Sequence, residues 1–204
     1  MINIDRLDSG YETTQKMYFL EKEEGVQILN DLEALIVNLK EHWVGTDSTH
    51  RINQLIGVHN QLQNYLKGCF ATTSLAMQQL VQLQEVRKAN GNGGQVGDVQ
   101  KMDDSFVKSI PRLLPTEKFY VDPAVRTDYK NLLDIGDRVK KFAEEIEADR
   151  VELIDNNWHE GNHRDEVNQV FEEVNSLEKE FETVFSGVAG QLDKAIGNLE
   201  KVME

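Results

Sequence analysis

Cysteine is almost absent from this sequence. Cys69 is the only one in 204 residues, so the chain cannot form an internal disulfide. It lies among apolar residues at helical spacing, where a free cysteine behaves as a small hydrophobic side chain. Nothing near it in the sequence provides a base with a fixed partner. We therefore interpret Cys69 as a core residue and not as a catalytic nucleophile.

Long hydrophobic runs are also missing. No segment approaches the roughly 20 consecutive apolar residues that a membrane-spanning helix needs. Residues 1–6 have neither the basic start nor the following apolar block of a cleavable signal peptide. We therefore expect no membrane span, and we expect any export to use a route without a cleavable signal.

Positive charge is scarce. The chain has 22 lysines and arginines against 36 aspartates and glutamates, a net charge of −14. Such a chain is repelled by nucleic-acid backbones and by anionic membrane surfaces, which excludes both as partners. Residues 125–204 hold 20 of the acids and 10 of the bases. This excess indicates either a solvated helix face or a surface for a basic protein.

Helical apolar spacing, in contrast, is abundant. Apolar residues recur at steps of three and four, which is the period of one face of a helix. The four stripes are Leu29, Leu32, Ile36, Leu39 and Trp43; Ile52, Leu55, His59, Leu62, Leu66, Cys69, Thr73, Ala76, Leu80 and Leu83; Leu132, Ile135, Val139, Phe142 and Ile146; and Val167, Val170, Val174, Leu177, Phe181, Val184 and Val188. They predict an all-α protein in which two antiparallel helical hairpins form a four-helix bundle.

Helix boundaries follow from capping residues and breakers. Thr13 or Thr14 is expected to begin the first helix, and Gly25 is expected to bend or interrupt it. Hydroxyl or carboxylate oxygens of residues 46–48 are expected to cap the second helix, which should run to about Lys88. In the third helix the apolar register slips by one residue before Val151, so the helix must twist or bend there.

A linker separates the two hairpins. Four glycines fall within residues 89–97, and all three prolines fall within residues 111–123, so neither stretch favours a helix. The sequence thus divides into a first hairpin at 1–88, a linker at 89–124 and a second hairpin at 125–204. Because the proline-containing part of the linker is apolar, we expect it to pack over the bundle rather than hang free, although docking on a partner is the alternative.

A tryptophan and a glycine mark the turn of each hairpin. Trp43 and Gly45 separate the first two stripes, and the glycine provides the conformational freedom for a reversal. Trp158 and Gly161 stand 115 and 116 residues later, and the helices that follow align without a gap, with Asn53, Gln54 and Asn60 matched by Asn168, Gln169 and Asn175. The match indicates an internal repeat.

These residues resemble the WXG family, the small helical-hairpin proteins of type VII secretion in Gram-positive bacteria and mycobacteria. Family members are about half this length and pair as antiparallel four-helix dimers, so this chain resembles a tandem member. The resemblance implies a non-enzymatic secretion substrate, or an adaptor or chaperone, that binds partner helices such as those of a larger toxin. It implies that Trp43, Gly45, Trp158 and Gly161 form the turns and contribute to interaction, and that no cofactor is used.

The resemblance also implies partners and a location. The expected partners are the type VII secretion ATPase machinery, a toxin or another WXG-like protein, and the chain is expected to be a monomer or a homodimer. It is expected to leave the bacterial cytoplasm without a cleavable signal peptide. Two features depart from the family: two residues separate Trp158 from Gly161, and no tyrosine is followed four residues later by an acid, which is the family's export signal. A partner would then carry that signal.

Two other functions compete with this interpretation. His159, Glu160 and His163 match the H-E-x-x-H pattern of zinc hydrolases, in which two histidines bind zinc and the glutamate activates water. That pattern needs a continuous helix, whereas here it coincides with a turn containing Gly161, and no third ligand motif follows it. We therefore expect no metal. The other alternative is a cytoplasmic immunity-type protein whose acidic second hairpin masks a basic toxin.

Overall fold

A computed structural model describes residues 6–102, 104–158 and 164–203, with the side chains of 202 and 203 excepted. The described chain is an all-α four-helix bundle, as the apolar stripes predict. Its elements are α1 (Leu7–Leu20), a first π-helical turn (Glu21–Gly25), α2 (Val26–His42), β1 (Trp43–Val44), α3 (Thr46–Ala89), β2 (Tyr120–Val121), α4 (Val125–Val151), a second π-helical turn (Glu152–Asn157) and α5 (Arg164–Met203).

The first helix begins earlier than predicted. α1 starts at Leu7 rather than at Thr13 or Thr14, and the hydroxyl groups of both threonines donate to backbone carbonyls inside the helix. Asp8 lies in its first turn and accepts two hydrogen bonds of 2.9 Å from the guanidinium of Arg87. The pairing partner lies 79 residues away, so local sequence does not reveal it.

The described helices contain two π-helical turns, and one of them lies at the irregularity predicted for Gly25. In the first, the Val26 amide donates to the carbonyl of Glu21, five residues back, where an α-helix would use four. Gly25 ends this turn, and a Cβ there would lie 2.6 Å from Cδ2 of Leu66 and 3.2 Å from Cε2 of Phe142. The glycine therefore permits close packing. The second turn, Glu152–Asn157, begins after Val151, whereas the register slip was predicted before it. α4 remains α-helical through Val151, whose side chain is 37% exposed, so the predicted position of this irregularity is wrong.

The described residues group into two compact units, each with a section of all four helical runs. Unit 1 consists of Met1–Val26, Asn64–Ser105 and Phe142–Ser176, and unit 2 consists of Gln27–Gln63, Phe106–Lys141 and Leu177–Glu204. The core of unit 1 includes Leu7, Met17, Leu66, Met77, Leu80, Ile146, Ile154, Trp158 and Phe171. The core of unit 2 includes Ile28, Leu32, Ile36, Trp43, Ile52, Leu55, Leu132, Phe181 and Val188.

Most predicted stripe residues are buried, with informative exceptions. Leu83 is 39% exposed, because the buried face of α3 passes instead through Val81 and Gln84 at this point. Gln84 is buried because its amide nitrogen donates to Asp8 and its amide oxygen accepts from the Gly97 backbone, each at 2.9 Å. A polar side chain whose amide nitrogen and oxygen are both hydrogen-bonded can be buried. Gln84 is therefore buried here, although the apolar spacing predicts Leu83 as the core residue.

The linker contacts the helices at several points, and its glycine-rich part is not helical. The expected packing of its proline-containing part is only partial, because Leu114 and Phe119 are 83% and 81% exposed. In unit 1, the Tyr11 hydroxyl accepts from the Asp98 amide and donates to the Asp98 carbonyl, both at 2.8 Å. In unit 2, Phe106 is buried, and the side chain of Asn53 bonds both backbone groups of Leu113 at 2.9 and 3.0 Å. Side chains of the helices thus satisfy backbone groups that lack secondary structure.

No helix among the described residues combines the length and the apolar character needed to cross a bilayer.

Candidate functional site: the first corner and its groove

The Trp43-Val44-Gly45 corner joins α2 to α3 where the sequence predicts a reversal. Its first two residues form β1, which pairs antiparallel with β2 so that Trp43 faces Val121 and Val44 faces Tyr120. The linker therefore contributes a strand to the corner. Neither strand was predicted, because each has two residues and exists only through pairing with a segment about 77 positions away.

Gly45 serves the corner through its size. Among the described glycines only Gly91 and Gly94 have a positive φ, so the predicted need for unusual backbone freedom at Gly45 is wrong. A Cβ at this position would lie 3.4 Å from Cδ2 of Phe119 and 4.0 Å from the carbonyl oxygen of Lys118. The missing side chain lets residues 118–119 lie against the turn.

The start of α3 also differs from the predicted cap. The Ser48 hydroxyl donates to the Gly45 carbonyl at 2.9 Å, and the Thr49 amide donates to the same oxygen at 2.9 Å. Thr46 donates to the Thr116 carbonyl at 3.4 Å. These hydroxyls act as donors that fix the turn, whereas a conventional N-cap oxygen accepts from the helix amides.

A histidine and a buried aspartate tie the corner to the start of α4. Nδ1 of His42 lies 2.7 Å from Oδ2 of Asp128, whose side chain is only 1% exposed. The Asp122 amide donates to the His42 carbonyl at 2.8 Å. Asp122 itself accepts from the Ala124 amide and the Tyr120 hydroxyl, and these bonds lower the pKa of its carboxyl group. The corner is thus held by both backbone and side-chain bonds.

The two tryptophans of the predicted site are buried in different units. Trp43 is 5% exposed in unit 2, and Trp158 is 1% exposed in unit 1. Nε1 of Trp158 has no hydrogen-bond partner among the described residues, and its carbonyl accepts from Arg164 at 2.7 Å. Both indoles therefore pack within their own units. Gly161, the other predicted turn residue, lies outside the described part of the chain.

A groove lies beside the corner, and we call it the corner groove. Its volume is about 630 Å³, and it is bounded by residues 43–48, by 117–119 and 121, and by residues of α5 between 191 and 199. Phe119 on its edge is 81% exposed and the adjacent Tyr120 is 51% exposed. Asp47 and Glu117 are balanced by Lys118 and Lys194. The groove can therefore accept an apolar side chain without selecting strongly for charge.

The exposed aromatic residues were missed as site residues at the sequence level. The apolar character of 119–121 was noticed, and docking on a partner was one of its two interpretations. What the sequence could not show is that Val121 turns inward while Phe119 is left in solvent. Val121 lies within β2 opposite Trp43, whereas Phe119 precedes the strand.

Buried titratable groups form a second chemical feature, this one within unit 1. Glu21 is fully buried, its Oε1 accepts a hydrogen bond of 2.7 Å from Thr73, and Oε2 has no partner among the described residues. Burial raises the pKa of Glu21 to about 8. Burial also raises the pKa of Cys69 well above its ordinary value, so this thiol stays protonated, in agreement with its predicted core role.

The zinc hypothesis is not addressed by the described geometry. His159, Glu160 and His163 lie outside the described residues. Within 6–102, 104–158 and 164–203, no three His, Cys, Asp or Glu side chains are placed to hold a metal ion. His59, predicted to be a packed stripe residue, is fully buried in unit 2.

No protein-family model, curated protein or solved structure matches this chain.

Proposed function

We propose that this chain is a non-enzymatic helical-hairpin protein of type VII secretion, acting as a substrate or as an adaptor for a larger toxin. The observation that carries the proposal is a Trp-x-Gly turn between two long helices, set beside a groove with exposed aromatic side chains. The Trp43-x-Gly45 pattern and the hairpin on which it lies are the features that resemble the WXG family.

The corner groove is the proposed contact for a partner helix. An apolar side chain of the partner enters the groove and covers Phe119 and Tyr120, the aromatic residues most accessible there. Burying a phenylalanine side chain stabilises a complex by about 1.5–3 kcal/mol. Trp43 contributes indirectly, because its buried indole fixes the corner against which β2 and Phe119 lie. Its role in binding is thus to position the contact residues.

The proposal includes the partners and the route of the protein. Partners are the secretion ATPase machinery, a toxin or another WXG-like protein, and the chain acts as a monomer or a homodimer. It leaves the bacterial cytoplasm without a cleavable signal peptide, or it stays inside as an adaptor while its partner leaves. Neither route uses a cofactor.

Secretion is tested in the native bacterium with and without the type VII ATPase. The chain is measured in culture supernatant and lysate, and the other secreted proteins are compared between the wild type and a strain lacking this chain. A substrate appears in the supernatant only when the ATPase is present, whereas an adaptor is retained and its absence removes a partner from the supernatant. If the chain is retained and no secreted protein changes, the proposal is overturned.

A matched pair of variants tests the corner groove in the same strains. Phe119→Ser with Tyr120→Ser removes the exposed aromatic surface, and Leu114→Ser removes a side chain that is 83% exposed but does not line the groove. We expect the double variant to lower export of the chain or its partner about tenfold, with Leu114→Ser at the wild-type level. Equal effects of the two changes would contradict a role for the groove, and melting curves establish that both proteins fold.

Zinc analysis separates this proposal from the hydrolase alternative. Protein purified without chelator is analysed for metal beside His159→Ala and His59→Ala variants. Stoichiometric zinc that is lost only in His159→Ala would replace the proposed function with a metal-dependent one.

A further inference from the structure

A second groove runs between α4 and α5 in unit 2, and we call it the α4–α5 groove. Its lining consists of two helical stripes, within residues 132–140 of α4 and 178–189 of α5, and it encloses about 350 Å³. With a rise of 1.5 Å per residue these stripes extend about 12 and 16 Å along their helices. The groove is therefore elongated along the helix axes and is about two to three helical turns long.

The floor of this groove is apolar and is open because one residue is a glycine. Phe181 and Phe185 pack edge to face at 5.3 Å between ring centroids. A Cβ at Gly136 would lie 3.2 Å from Cδ2 of Phe185, so any larger residue would crowd the ring. Leu133, which also lines the groove, is 46% exposed. Leu133 therefore exposes a large apolar side chain to solvent at the α4–α5 groove.

The rim of the groove is acidic. Three carboxylates line it, from Asp137 on α4 and from Glu178 and Glu182 on α5, against the single ammonium group of Lys140. The corner groove, by comparison, has equal numbers of acids and bases. An apolar floor with a negative rim fits an occupant with apolar residues on one face and basic residues beside them.

We propose that the α4–α5 groove docks a cationic amphipathic helix of a partner protein. The inference rests on the proposed function, because it states which kind of partner helix that function recognises. A helix fits because two neighbouring helices present parallel ridges, and a third helix packs into the channel between them. Its apolar face covers Leu133 and Phe185, and its basic residues lie beside Asp137, Glu178 and Glu182.

The test uses a synthetic helix as the probe. A labelled peptide of about 15 residues, roughly 22 Å of helix, carries leucines on one face and lysines on the other. A second peptide has glutamate in place of every lysine. Binding to the full-length chain is measured by fluorescence anisotropy at low and at high salt. We expect saturable binding of the lysine peptide alone, weakened by salt because the rim charges are screened.

Two groove variants and one matched control locate the binding. Leu133→Ser removes exposed apolar surface without adding charge, and Asp137→Lys with Glu182→Lys reverses the rim. Glu180→Lys with Asp193→Lys makes the same change in net charge at exposed positions of α5 outside the groove lining. We expect both groove variants to raise the Kd about tenfold, while the control pair stays within about twofold of the wild type.

Three results would overturn the inference. They are equal binding of the two peptides, equal weakening by the control pair and the groove variants, and a chain dimer that Leu133→Ser dissociates, since the occupant would then be a second copy. The secretion experiment fails independently of this one. Peptide binding by a chain that neither leaves the cell nor affects other secreted proteins would leave the docking site intact and overturn the type VII role alone.

Discussion

Thr73 on α3 donates its hydroxyl hydrogen to Oε1 of Glu21, across 2.7 Å, inside the buried core of unit 1. Glu21 begins the first π-helical turn, and it is the only described glutamate that is fully buried. Tyr65 and Cys69 on α3 are its electrostatic neighbours, because burial raises the pKa of both side chains and the charge of this carboxyl group raises it further. No cation compensates it within the described residues, so burial favours the neutral acid.

Replacing this acid with its neutral amide should make unit 1 less sensitive to pH. The pKa of Glu21 is about 8 in the folded chain against 4.5 for an ordinary glutamate. Between these values the carboxyl group loses its proton only on unfolding, so the free energy of unfolding falls as pH rises and then stays level above about pH 8. We expect Glu21→Gln to be more stable than the wild type at pH 8 by an amount on the order of 4 kcal/mol.

Urea denaturation at about pH 5.5 and pH 8.5 measures this difference. Glu23→Gln, on an exposed position of the same π-helical turn, is the matched control and should leave the pH dependence unchanged. A Glu21→Gln curve that runs parallel to the wild type across this range would show that the buried carboxyl group is already ionised.

His59 in unit 2 should give the opposite pH dependence. Its ring is fully buried, and burial lowers its pKa below the ordinary 6.5, opposed in part by a hydrogen bond with the Asn60 side chain. Glu33 and Lys108 are the charged groups that act on it, and they oppose one another. Above pH 6.5 the ring is neutral in both states; as the pH falls below 6.5 the unfolded chain takes up a proton first, and stability is lost.

We therefore expect His59→Leu to remove part of the acid sensitivity of the wild type, by about 1.4 kcal/mol for each pH unit below 6.5 until the folded ring also titrates. Denaturation at about pH 5 and pH 7.5 measures this. His50→Gln, at an exposed position of α3, should behave as the wild type does. If His50→Gln changed the loss of stability below pH 6.5 as much as His59→Leu does, the burial of His59 would not be the cause of that loss.

Trp43 should contribute mainly to the free energy of unfolding, and it should affect partner binding only by holding the corner in place. Its indole is 5% exposed, and removing a buried aromatic side chain costs about 3–5 kcal/mol. We expect Trp43→Ala to lower the free energy of unfolding by that amount, and Trp43→Phe by less. Phe119→Ala, which truncates a side chain that is 81% exposed, should stay within about 0.5 kcal/mol of the wild type.

Denaturation curves and partner binding, measured on the same variants, separate the two roles. A Trp43→Ala protein of unchanged stability that no longer binds its partner would make the indole itself the contact. A destabilised Trp43→Phe protein that still binds would support the positioning role.

The spacing of apolar residues was sufficient to predict the helices, because helices depend on residues close together in sequence. The irregularity predicted at Gly25 is a π-helical turn, and the corner at Trp43 falls between α2 and α3 as expected, whereas the second π-helical turn begins after Val151 and not before it. The site depended on contacts that no local pattern contains. β2 pairs with the corner across more than 70 positions of sequence, and Phe119, just before β2, is 81% exposed.

Buried polar residues were the other limit of sequence reasoning. Glu21 reads as one of several acids on a solvated turn, yet it is buried because it continues the buried face of α1 one turn beyond Met17 and Tyr18, where it meets Thr73. Likewise, Gly45 was expected to provide backbone freedom, whereas its neighbours show that it provides space for Phe119. In each case the property that matters belongs to the packing and not to the residue type.

Gly97 should be the one glycine of the linker at which an added side chain is excluded by steric contact alone, without a positive φ. A Cβ there would lie 2.1 Å from Cζ of Tyr11, whereas one at Gly93 would have nothing within 4 Å. Gly97→Ala must therefore displace the Tyr11 ring, and with it the 2.8 Å bond from the Asp98 amide to the Tyr11 hydroxyl. We expect hydrogen exchange at the Asp98 amide to accelerate at least about tenfold in Gly97→Ala and to stay unchanged in Gly93→Ala.

A double-mutant cycle identifies the contact responsible. Tyr11→Ala removes both the ring and the hydroxyl acceptor, so exchange at Asp98 should already be fast in this variant, and adding Gly97→Ala should accelerate it little further. If Gly97→Ala accelerated exchange equally with and without the Tyr11 ring, the cause would lie in the linker backbone. The anchoring of the glycine-rich segment by α1 would then be wrong, and residues 91–98 would be ordered by their own turns.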